Sequence, residues 1–137
     1  MGSIVKTTYY LPSKLVTNAD LEEIFPGSNI QQTAKKIGVY SRRIADVDET
    51  ASDLGFHAAE KALVDYDRSK IDFLIFCTQS PDYFLPTSAC VLQDRLKLRE
   101  IPAFDFNLGC SGYIYGLAIA ESFINSGMAS NILLITG

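Results

Sequence analysis

Residues 102–121 read PAFDFNLGCSGYIYGLAIAE, three local signals in succession. Pro102 to Phe106 is short, apolar and aromatic, the pattern of a strand buried inside a sheet. The Gly-Cys-Ser-Gly run at 109–112 is a tight turn, in which Gly109 and Gly112 allow a ligand to approach the backbone closely. From Ser111-Gly112 the chain has the composition of a helix to about Ser126, stopped by Gly127. Cys110 therefore stands at or just before a helix N-terminus. Unpaired N–H groups and the positive end of the helix dipole favour a thiolate there. The helix is so apolar that a central rather than a surface position is expected. A thiol on such a helix, at the carboxyl end of a strand, is where an α/β sheet places its chemistry.

Working outward, Asn131 to Thr136 (NILLIT) is a further strand. Upstream, Ile71 to Cys77 (IDFLIFC) is nearly continuous apolar sequence, as a strand covered on both faces would be. Between the two buried strands, Pro86-Thr87-Ser88 opens a helix running from Ala89 to about Leu98. Thr50 and Ser52 offer caps for a helix to about Tyr66, whose apolar stripe is expected along Leu54, Ala58, Ala62 and Val64 or Asp65. The order from residue 50 is helix, strand, helix, strand, helix, strand. Such alternation predicts an α/β fold with a largely parallel sheet and helices on both faces.

The first 49 residues are less regular. Ile4 to Tyr10 (IVKTTYY) reads as a first strand, closed by Leu11-Pro12-Ser13. Thr17 or Asn18 can cap a short helix from Ala19 to Phe25, with Asp20, Glu22 and Glu23 favourably placed in its first turns. Ile30 to Ile37 is a second helix ended by Gly38. Val39 to Ile44 reads as an edge strand or extended segment with Arg42 and Arg43 exposed.

Composition narrows the function. The 137 residues are 47% hydrophobic and 20% charged, which excludes disorder and a disulfide-dense scaffold, and they suit one domain. The net charge of −4, with no basic block, argues against nucleic acid as a partner. No apolar run approaches the ~18 residues of a membrane-spanning helix, and the N-terminus has no signal-peptide pattern. Cys77, Cys90 and Cys110 are an odd number of thiols at spacings that match no metal site. They read as reduced and cytoplasmic, with Cys77 and Cys90 as packing. There is one histidine, His57, read as a solvated helical side chain.

The run at 107–117 (NLGCSGYIYGL) resembles the nucleophile segment of β-ketoacyl-acyl-carrier-protein synthase III, a branch of the thiolase superfamily. Tyr10-Leu-Pro with Thr17-Asn-Ala-Asp-Leu, residues 37–44 (IGVYSRRI), 50–59 (TASDLGFHAA) and 85–93 (LPTSACVLQ) resemble other segments of that family, in order along the chain. The resemblance implies a thiolase-like fold built from two similar halves, each a helix-covered, mainly parallel sheet of the five-stranded type. Residues 1–137 would form an incomplete first half. It implies a decarboxylative Claisen condensation for fatty-acid or related biosynthesis, with no cofactor or metal. Cys110 would take an acyl group from acyl-CoA or an acyl-carrier-protein donor. Malonyl-acyl-carrier protein would then lose carbon dioxide and attack it.

The family's catalytic His and Asn fall beyond Gly137, so this chain alone is expected to lack condensing activity. The partners implied are acyl-carrier protein and a second copy in a homodimer. Three substrate-binding positions follow from the same resemblance. Where acetyl-CoA-using bacterial members have a Trp and an Arg, this sequence has Gln32 and Lys36, which lose indole stacking and the planar guanidinium fork. Leu85 stands where family dimers reach across to bound the acyl pocket, often with Phe. The smaller side chain suits a longer or branched acyl group. Competing readings are a polyketide or hydroxymethylglutaryl-type synthase, a non-catalytic binding or assembly module, and a flavodoxin-like nucleotide binder. The last lacks any phosphate-loop motif.

Overall fold

The computed structural model describes residues 2–137, with elements in the order β1 (Lys14–Thr17), α1 (Asn18–Ile24), α2 (Ile30–Ile37), β2 (Ser41–Ile44), α3 (Ala51–Leu63), β3 (Phe73–Cys77), α4 (Ser88–Arg95), β4 (Ala103–Phe106), α5 (Gly112–Asn125) and β5 (Ile132–Thr136). Two compact units result. Residues 11–49 form one; residues up to Tyr10 together with 50–137 form the other.

In the larger unit β3, β4 and β5 form a parallel sheet of order β4-β3-β5. Every residue of β3 is buried. Its side chains alternate between faces, as strand geometry requires. Leu74 and Phe76 pack with Ala59 and Leu63 of α3 and with Ala89, Leu92 and Leu96 at α4. Phe73 and Ile75 pack with Ile119, Ala120 and Phe123 of α5, the Phe73 and Phe123 rings lying 4.9 Å apart. The α/β class and parallel sheet are as the alternation predicts. The sheet has three strands rather than five, the other two pairing antiparallel in the smaller unit. No helix among the described residues is long and apolar enough to cross a membrane.

Other expectations need correction. Ile4 to Tyr10 forms no strand, and Ile4, Val5 and Tyr9 are exposed. The segment is held by Thr8 Oγ1 donating to the Ala58 carbonyl (2.7 Å) and Lys61 Nζ donating to that of Tyr9 (3.1 Å). The strand before α1 is instead Lys14–Thr17, paired with Ser41–Ile44. The buried stripe of α3 is Ser52, Gly55, Ala59 and Leu63, not the one through Leu54, Ala58 and Ala62, and Val64 is 72% exposed. Small side chains bring α3 close to the sheet, and Ser52 is buried because its hydroxyl and amide both donate to Asp82. β4 is half-buried rather than buried, and Cys90 is exposed rather than packed.

Capping forms α3 and α4 by different means. Thr50 and Asp53 make a reciprocal capping box on α3, and Arg95 pairs with Asp53 at 2.8 Å. The Thr50 amide above all, with the Thr50 hydroxyl and Arg95, holds the Asp53 carboxyl below its ordinary value against the opposing effect of partial burial. Thr87, ahead of α4, makes no side-chain cap. Asp105 of β4 substitutes, accepting from the Ser88 and Ala89 amides at 2.7 and 2.6 Å.

Two outcomes are expected. Asp105→Ala leaves two amides at a buried helix start without an acceptor and should cost about 1–3 kcal/mol in urea unfolding. The depressed Asp53 carboxyl binds its proton more readily in the unfolded chain. Its stabilising contribution is therefore full above 3.8 and lost as pH falls through the lower folded value. Thermal unfolding across about pH 5 to 2 should show that loss, and Asp53→Asn should flatten part of it.

Candidate active site

The strand order places a crevice at the carboxyl ends of β3 and β4. The loop after β3 leads to α4 on one face of the sheet, and the loop after β4 leads to α5 on the other. Where successive connections leave toward opposite faces, the two loops part and leave a cleft. A cavity of about 390 Å³ lies there, lined by Cys77, Gln79, Ser80, Leu108, Gly109, Cys110, Tyr113, Thr136 and Gly137.

Cys110 is exposed in that cavity, two residues before α5 begins. The elbow is closed by the Gly112 amide donating to the Gly109 carbonyl at 2.7 Å. Beneath it stands the buried Cys77, on the face of β3 that also carries Phe73 and Ile75. Its thiol donates to the Leu108 carbonyl at 3.3 Å. Burial pushes the Cys77 thiol up, opposed by that hydrogen bond, so it stays protonated and acts as a donor.

Helix α5 approaches the sheet on glycines. A Cβ at Gly112 would stand 2.3 Å from Cys77 Sγ, and one at Gly116 would stand 2.8 Å from Leu134 Cδ1. The helix is consequently not central in the expected sense. Its glycine face meets the sheet, while Tyr113, Ile114 and Tyr115 are exposed.

The other expected site residues are not in this cavity. Leu85, 82% exposed, follows Tyr83 and Phe84 in the loop before α4, and all three side chains stand out. The loop is tied down at Asp82, whose carboxylate accepts from Thr50, Ser52 and the Ser52 amide, and whose own amide donates to Ser88 Oγ at 3.2 Å. Gln32 and Lys36 lie exposed on α2 in the smaller unit. His57 is exposed and stacks on Tyr10 at 4.7 Å; it does not line the Cys110 cavity. No group of three or more residues suited to a metal ion occurs among the described residues. Gln79 and Cys77 are the site neighbours that sequence reasoning missed or set aside. A lone polar residue after a strand has no periodic signature, and Cys77 alternates onto the α5 face only because of the register of β3.

Residues 104–137 match the family model for 3-oxoacyl-[acyl-carrier-protein] synthase III. The chain is 43% identical over 136 residues to the β-ketoacyl-[acyl-carrier-protein] synthase III of Chlamydia trachomatis, a match covering 98% of this chain and 41% of that protein. A crystal structure of a 3-oxoacyl-(acyl-carrier-protein) synthase III superposes with a TM-score of 0.91 at 42% identity, over 98% of this chain and 41% of the other. The enzyme of the same description from Aquifex aeolicus gives 0.89 at 39% identity, over 96% and 43%. The chain thus spans about two fifths of the length of the relatives it matches.

The contact beneath the elbow gives a paired prediction. Gly112→Ala forces its methyl into Cys77 Sγ and should lower stability by about 1–3 kcal/mol. Cys77→Ala in the same chain should return most of that loss, a coupling read from urea unfolding of the two single variants and the double.

Proposed function

We propose that this chain, related over nearly its whole length to the N-terminal portion of the 3-oxoacyl-[acyl-carrier-protein] synthase III family, carries the acyl-accepting thiol of a decarboxylative Claisen condensation in fatty-acid biosynthesis. The observation that carries the reading is Cys110, exposed at a glycine elbow in the cavity at the carboxyl ends of the sheet. In the first half-reaction Cys110 Sγ attacks the carbonyl carbon of an acyl thioester. The carbon–sulfur bond to the donor breaks, and the donor leaves as its thiol with the proton that Cys110 gave up. In the second, malonyl-acyl-carrier protein loses carbon dioxide. Its carbanion attacks the acyl-cysteine, and the Cys110 thiolate is released.

The backbone amide of Cys110, at the start of the elbow, suits stabilisation of the oxyanion in both steps. Gln32, Lys36 and the loop bearing Leu85 are the proposed donor-binding positions. Acyl-carrier protein is the proposed partner, and a second copy the proposed dimer mate. The only imidazole in the chain, His57, is stacked on Tyr10 and does not line the cavity, so it is not proposed as the group that promotes decarboxylation.

Incubation with a panel of acyl-CoAs, or with acyl-acyl-carrier protein, should add acyl mass to Cys110, found by peptide mass spectrometry. Cys110→Ser should abolish it. Ketoacyl product from malonyl-acyl-carrier protein is not expected from this chain alone. Absence of acylation from every donor would overturn the reading.

A further inference from the structure

Gln79 follows β3 by two residues and lines the cavity of Cys110. Its carboxamide lies against the elbow. The Oε1, Cδ and Nε2 atoms stand 3.0, 3.3 and 3.5 Å from where a Cβ at Gly109 would be, so the amide group rests side-on over the residue that precedes Cys110. A side chain at 109 would press on that carboxamide. The carboxamide makes no hydrogen bond to any described residue, so its two N–H donors and its oxygen are all open to a ligand. The other polar side chains around the cavity are hydroxyls, of Ser80, Thr136 and Tyr113, and two thiols. Thr78, the residue between β3 and Gln79, uses its hydroxyl on the Ser80 amide at 3.1 Å, which fixes the loop that carries Gln79.

An acyl group on Cys110 Sγ would bring a carbonyl oxygen into the cavity that Gln79 also lines. We infer that Gln79 donates a hydrogen bond to that oxygen, acting with the Cys110 amide on the thioester and acyl-cysteine as charge develops on it. The inference rests on the acyl-accepting reading of Cys110. It adds a donor contributed by the loop after β3 to the backbone donor of the elbow. A carboxamide in this role discriminates by reaction: it assists attack on a carbonyl and has nothing to stabilise in an SN2 displacement at a saturated carbon.

That distinction is the test. Gln79→Met keeps the length of the side chain and removes the donor; Gln79→Asn keeps the donor on a shorter arm. Each is compared with the unsubstituted chain in two reactions at Cys110, both followed by peptide mass spectrometry: acylation by an acyl-CoA and alkylation by iodoacetamide. Gln79→Met should slow acylation by about 10-fold or more and leave alkylation within about twofold, with its pH profile unmoved. Gln79→Asn should recover part of the acylation rate. Equal acylation by all three chains overturns the inference and leaves the reading of Cys110 standing. So does a loss of the same factor in both reactions, which marks a displaced elbow. Alkylation without acylation in the unsubstituted chain overturns both.

Discussion

β3 must be covered on both faces, and the arrangement of the larger unit follows from that requirement. A strand of five apolar residues, Phe73 to Cys77, presents Leu74 and Phe76 to one side and Phe73, Ile75 and Cys77 to the other. Neither side tolerates water, so helices must lie on both. Parallel strands joined by right-handed crossovers can meet that demand only if the chain moves outward to β4 with α4 on one face and returns past β3 to β5 with α5 on the other. The parting of the loops, and so the cleft that holds Cys110, is the geometric consequence of covering one strand twice.

The depth of the cleft is set by how closely α5 sits. Glycines at 112 and 116, four residues apart and so on one helix face, leave no side chain between the first turns of the helix and the sheet. They lower the first turn of α5 onto Cys77 and bring the elbow to the end of β3. β4 fixes the other wall from the same short stretch of chain. Asp105 holds the start of α4 through two amides, and four residues later the chain is already in the elbow. One strand thereby sets the relative placement of both loops that line the cavity, while Asp82 ties the first of them back to α3 through Thr50 and Ser52.

The sequence disclosed those parts whose signals are local. The alternation after residue 50, the buried character of residues 73–77, the capping at Thr50 and the strand–elbow–helix run around Cys110 each depend on a few neighbouring residues, and each is present. What depended on distant partners was hidden. Ile4 to Tyr10 has every compositional mark of a strand and joins no sheet, whereas Lys14–Thr17 pairs with Ser41–Ile44. On α3, counting apolar residues picks Leu54, Ala58 and Ala62. Burial follows Ser52 and Gly55 instead, because closeness to the sheet rewards small side chains and Asp82 satisfies the serine. Of the four residues chosen for the site, Cys110 alone lies in the cavity. Its strand–elbow–helix setting is a physical pattern in the sequence, whereas Gln32, Lys36 and Leu85 follow from resemblance alone.

The chemistry separates along the same line as the geometry. Transfer of an acyl group between thiols needs an accessible thiol, a channel to it and donors for one oxygen. The elbow, the end of β3 and the loop after it hold an exposed thiol, an open cavity and a carboxamide within a single unit. Carbon–carbon bond formation asks for more: a carboxylate must leave as carbon dioxide, and the carbanion it leaves behind must be stabilised by groups pointing at the same cavity. The larger unit offers hydroxyls, a carboxamide and thiols there, and its one imidazole is engaged with an aromatic ring elsewhere. Acyl loading, as proposed for Cys110, therefore asks for fewer groups than condensation does. Under the reading proposed for Cys110, the first half-reaction draws on the elbow and the loop after β3, and the second asks for groups that neither supplies.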